Sequence, residues 1–121
     1  MSLKFTNNND YILVELSMGM DYWEIIEGIA KLFSMPEFKN KNDIWAFASG
    51  QIKMAHTDLY KIKSLVKKNC PKNSKGSKTA IVTKNDFQQT YATLYSDICK
   101  NLQREIRVFS KLESAKDWII T

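Results

Sequence analysis

Apolar residues follow two rhythms along this chain, and the alternation between them predicts most of the fold. Short β-branched or aromatic runs at 3–6, Tyr11–Leu16, 43–48, 79–83 and Glu105–Phe109 read as strands. Between them apolar positions recur every three or four residues, as on one face of a helix. Tyr22, Ile25, Ile26, Ile29 and Phe33 form the first such face, broadened by Trp23, Ala30 and Leu32. Leu59, Ile62, Leu65 and Val66 form the second. Phe87, Tyr91, Leu94, Tyr95, Ile98, Cys99 and Leu102 make a third, about four turns long. Leu112, Ala115, Trp118 and Ile119 make the last.

Punctuation fits these boundaries. Asn7, Asn8, Asn9 and Asp10 suit a hairpin turn, because their side chains tolerate left-handed backbone. Asp21 with Glu24, and Ser110 with Glu113, read as capping boxes, and Thr57 reads as the cap of the second helix. The stretch 69–78, rich in Pro, Gly, Ser and Lys, reads as the one long loop, and 40–43 as a polar turn.

The order β-β-α-β-α-β-α-β-α implies one α/β domain over 1–121: a mainly parallel sheet with an N-terminal hairpin and helices packed on the sheet. The stretch 79–109 is a βαβ crossover and should place 79–83 beside 106–109 in parallel. The run 43–48 is apolar on both faces after Asp43, as a strand covered on both sides would be.

Charge adds one feature. The net charge is +5, yet residues 53–84 hold nine lysines and a single acid, Asp58, while nine basic residues face twelve acidic ones elsewhere. A solvated lysine-rich helix face explains this, with anionic-surface binding as an alternative. Tyr60 is the one aromatic among these lysines and the segment has no arginine, which argues against nucleic acid. No apolar run approaches the ~20 residues that cross a bilayer, and residues 1–7 lack a signal-like apolar core. The expected location is cytoplasmic. Cys70 and Cys99 have neither metal-ligand spacing nor disulfide density and read as free thiols.

Chemistry is sparse. Neither phosphate-loop pattern occurs among only four glycines, and one histidine cannot found a His-based metal cluster. His56 with Ser49, Thr57 and Asp58 supplies the residue types of a triad, but Thr57 and Asp58 are also what a helix start requires. His56 therefore reads as a surface histidine. The expectation is a protein without cofactor or metal that is not an enzyme.

From Phe47 through Ser49, Gly50, Met54, His56, Thr57 and Asp58 to Leu59, the chain resembles the STAS domains, the family of anti-sigma-factor antagonists and sulphate-transporter tails. Their pattern is D-L-S-G-V-T-F-M-D-S-S-G-L. Ser49-Gly50 falls on its S-G, Met54 on its M, Leu59 on its last L, and Thr57 on the second serine of D-S-S-G-L. That serine is the phosphate acceptor in the antagonists. Ala55, His56 and Asp58 stand where the family has aspartate, serine and glycine. Arg107-Val-Phe109 and the run Ala115-Lys-Asp-Trp118-Ile119 resemble an uncharacterised bacterial branch of STAS-like proteins.

The resemblance implies a regulatory module that binds a protein partner, one the sequence does not name, through Ser49, His56, Thr57 and Asp58. The alternative is a carrier of a small apolar or lipid-like ligand, with Trp23, Phe33, Tyr91, Tyr95 and Trp118 lining a pocket between helices and sheet. Homodimer formation is left open.

Overall fold

The structure is a computed structural model that describes residues 3–38, 41–69, 76–102 and 104–121. The expected free thiol Cys70, most of the 69–78 loop and the start of the 40–43 turn lie outside the described residues.

The N-terminal hairpin joins β1 (Lys4–Asn7) to β2 (Tyr11–Leu16) in antiparallel register, Phe5 opposite Val14. Asn8 turns the chain, its Oδ1 accepting from the N–H groups of Asp10 and Tyr11 at 2.9 and 3.0 Å. A two-residue strand β3 (Met20–Asp21) then leads into helix α1 (Tyr22–Ser34). A 3-10 turn (Pro36–Phe38) precedes β4 (Asn42–Phe47). A second short strand, β5 (Ile52–Lys53), precedes α2 (His56–Asn69). The chain closes with β6 (Lys78–Val82), α3 (Asp86–Ile98), β7 (Glu105–Phe109) and α4 (Leu112–Ile119).

The main sheet runs β1-β2-β4-β6-β7, with β1 antiparallel and the other four strands parallel. β4 is the central strand. Thr79 pairs with Ile106 and Val82 with Phe109, so the crossover joins parallel neighbours. The sequence reading lacked β3 and β5, which form a parallel pair of their own, Met20 opposite Ile52. Two-residue strands leave no periodicity to detect.

Strand alternation sorts the core into two layers. Ile12, Val14, Trp45, Phe47 and Ile81 meet α1, α2 and α3 on one face through Ile25, Ile29, Ile62 and Ala92. Leu13, Ile44, Ala80 and Val82 meet Ala115 and Ile119 of α4 on the other. Gly28 lets α1 settle on Trp45: a Cβ there would stand 2.9 Å from its ring.

Three surface details differ from expectation. Trp23 is 75% exposed and Ala30 is also exposed. Two residues correspond to about 200° of helix, so Trp23 points away from the stripe that Ile25 begins. Phe87 and Leu94 of α3 are exposed as well, because the buried line of that helix runs through Gln88 and Ala92. The capping box at Ser110 does not form: Lys111 precedes α4 and gives no side-chain cap.

Among the described residues, no helix is long and apolar enough to cross a membrane.

Candidate functional site

All four parallel strands end at one edge of the sheet, where Leu16, Phe47, Val82 and Phe109 are their last residues. The four helices begin beyond that edge. In an open α/β sheet this rim is where loops and helix N-termini converge.

Side chains at the starts of three successive helices lock the rim. Asp21 caps α1 by accepting from the Glu24 N–H at 3.0 Å. The Glu24 carboxylate, 1% exposed, reaches back to accept from the Met18 N–H at 3.2 Å and the Ser17 hydroxyl at 3.3 Å. On α2, Asp58 accepts from the Ala55 N–H at 2.9 Å. On α3, Asn85 caps Gln88 at 2.9 Å, while Gln88 Oε1 accepts from the Lys84 N–H at 2.8 Å. Gln88 Nε2 donates to the Ala48 carbonyl at 2.9 Å, tying the loop after β4 to the loop after β6. The spacing Asn85-x-x-Gln88 is that of a capping box, with Gln88 reaching the Lys84 N–H in place of the Asn85 N–H.

Glycine closes the rim between β3 and β5. Gly19 has φ +72, and a Cβ there would lie 2.9 Å from the Gly50 backbone. Gly50 also accepts from Asn85 Nδ2 at 3.5 Å.

Of the residues singled out by sequence, Ser49 lies exposed on the loop after β4, and His56 and Thr57 are exposed in the first turn of α2. The helix opens one residue before Thr57. That shift moves Thr57 off the cap position, and no hydrogen bond among the described residues uses its hydroxyl. Asp58 is the side chain that serves the helix start. Its hydrogen bond from Ala55, helped by Lys61 at 3.3 Å, holds its carboxyl below the usual value. No hydrogen bond among the described residues joins His56 to Ser49 or to a carboxylate. The His56 ring instead stacks on Tyr91, centroids 4.8 Å apart and planes 17° from parallel.

Tyr91 also borders a cavity of about 90 Å³ between the sheet and helices α1–α3. Phe33 and Tyr95 line it too. Trp23 and Trp118, expected in the same pocket, are elsewhere. Trp23 is on the outer face of α1, and Trp118 packs against Phe109 across the sheet, at 5.7 Å. Trp118 sits on α4, the helix that covers that opposite layer among the described residues.

Apart from the hydroxyls of Tyr91 and Tyr95, the cavity wall is apolar except at one end, where Asp43, Thr79 and Arg104 meet. Arg104 Nη2 lies 2.7 Å from Asp43 Oδ1, and both side chains are almost fully buried. Asp43 also accepts from Trp45 Nε1 at 2.8 Å and from the Thr79 hydroxyl at 2.7 Å. Thr79 in turn accepts from Arg104 Nε at 3.0 Å. Arg104 Nη2 donates further to the Lys41 and Lys78 carbonyls. Sequence reasoning missed this pair, since 61 residues separate its members and neither belongs to a local motif. The one available signal was a charged residue, Asp43, opening an otherwise apolar central strand.

Comparison with family models, curated proteins and solved structures returns no significant match to this chain.

Proposed function

We propose that this protein is a non-catalytic interaction module of STAS-like type that docks a protein partner on the rim of its sheet. The observation that carries the reading is the exposure of large apolar side chains around a locked backbone. Trp23 is 75% exposed, Phe87 77% and Met18 42%, each in or beside a rim loop. Exposed aromatics near a rigid surface are favoured anchors of protein interfaces, since little entropy is lost on docking. Ser49, His56 and Thr57 are exposed on the same rim and are accessible for polar contacts with such a partner. The alternation of strands and helices, with a hairpin at one edge, supports the STAS-like assignment. A buried free thiol at Cys99 suits a reducing, cytoplasmic setting.

The rival reading, a carrier of a small apolar or lipid-like ligand, has less support for a lipid-sized ligand. A cavity of about 90 Å³ is small beside the roughly 300–1,000 Å³ common for sites that enclose larger ligands.

Affinity capture of tagged protein from its native cell tests the proposal. A partner retained by the parent and by Ile120→Ser, yet lost from Trp23→Ser/Phe87→Ser with the fold intact, supports rim docking. A partner retained by the double variant contradicts it.

A further inference from the structure

The polar end of the cavity is incompletely satisfied. Arg104 is 5% exposed, and its Nη1 is buried without a hydrogen-bond partner among the described residues. Every other polar atom of that guanidinium is engaged: Nε with Thr79, and Nη2 with Asp43 and two backbone carbonyls. A buried N–H left unpaired is costly, and native structures seldom keep one unless something supplies the acceptor. Elsewhere the wall is built of apolar side chains such as Ile29, Leu32, Ile81 and Ile106 together with the hydroxyls of Tyr91 and Tyr95, and among the described residues neither hydroxyl is hydrogen-bonded to Nη1.

We propose that this cavity is a binding site for a small neutral molecule with an apolar body and one acceptor oxygen, which takes the free N–H of Arg104. Charge selects the class. Asp43 already neutralises Arg104 at 2.7 Å, so a carboxylate would place a second anion beside one cation in an apolar enclosure. A carbonyl, ether or alcohol oxygen adds no charge. Volume selects the size. The cavity of about 90 Å³ is smaller than the roughly 150 Å³ that holds a benzene ring, so the ligand is a short ketone or alcohol rather than a lipid. Met20 and Met54 on the wall allow modest swelling, because unbranched thioether chains change rotamer cheaply. This site is separate from partner docking on the rim, and either can fail without the other.

Nitrogen-15-labelled protein is titrated with butanone, with 2-methyl-1-butene as the same shape lacking an acceptor, and with butanoate. The Arg104 guanidinium N–H signals report contact. Butanone is expected to move those signals and to bind at least about tenfold more tightly than the alkene, with butanoate not binding at neutral pH. Ala92→Met, which fills the cavity and leaves Asp43 and Arg104 in place, is expected to lose butanone at least about tenfold. Equal affinity for ketone and alkene overturns the proposal. So does a long-lived water on Nη1 that butanone fails to displace, or undiminished binding to folded Ala92→Met. If Ala92→Met does not fold, the ketone–alkene comparison on the parent protein decides alone.

Discussion

The imidazole of His56 lies flat on the ring of Tyr91, 4.8 Å between centroids, and this contact joins the rim to the cavity wall. Tyr91 donates a 3.4 Å hydrogen bond to the Met54 carbonyl, which fixes the ring from below the rim loop. His56 is exposed, so the stack contributes at the low end of what aromatic pairs supply. His56→Ala is expected to cost no more than about 1 kcal/mol in urea unfolding, while weakening partner capture. A larger loss of stability would make His56 a structural residue and not a docking one.

The rim-locking side chains should matter far more than Thr57. Gln88→Leu strands the Lys84 N–H and the Ala48 carbonyl, and is expected to destabilise by about 1–3 kcal/mol. Thr57→Ala removes no hydrogen bond seen among the described residues and should stay within about 0.5 kcal/mol of the parent. Denaturant midpoints for the two variants check the contrast directly.

Much of this architecture was legible in the sequence, and the reason is periodicity. The five strands of the main sheet and the four helices each carry a repeat of two, a repeat of three to four, or an unbroken apolar run. What escaped were features without a repeat. Trp23 and Phe87 looked like core because hydrophobicity says nothing of direction until the helix phase is fixed by neighbours such as Ile25 and Gln88. Trp118 looked like a partner of Tyr91 because sequence does not reveal which face of the sheet a terminal helix will cover. Thr57 was displaced by a two-residue shift of the cap position at a helix start, where assignments differ by a residue or two. Asp43 and Arg104 meet only through the tertiary fold.

The Asp43–Arg104 pair should behave as a unit. Removing one member leaves a buried uncompensated charge, so Asp43→Asn or Arg104→Met alone is expected to cost about 3–5 kcal/mol. The double variant should cost clearly less than the sum of the singles, since neither charge is then stranded. A double-mutant cycle by chemical denaturation supplies the test; simple additivity would mean that the two residues act independently.

Stability should fall on the alkaline side. Burial pushes the Tyr95 phenol well above 10.0, and burial likewise raises the Cys99 thiol above 9.0. Both groups lose their protons more readily in the unfolded chain. Their contribution is therefore complete below these unfolded values, and it is lost as pH rises past them toward the higher folded values. Thermal midpoints of the parent should drop as pH climbs through 9.0 and 10.0. Tyr95→Phe should flatten the upper part of that decline. An unchanged slope in Tyr95→Phe would place the alkaline sensitivity elsewhere.

Docking on the rim is tested most directly by photo-crosslinking in the native cell. A photoreactive amino acid is placed singly at Phe87, at Trp23, or at Ile120, an exposed position at the far end of α4. Docking on the rim requires the same discrete protein adduct from Phe87 and Trp23 and none from Ile120. An adduct from Ile120 alone, or equal labelling of many proteins from all three positions, would contradict it.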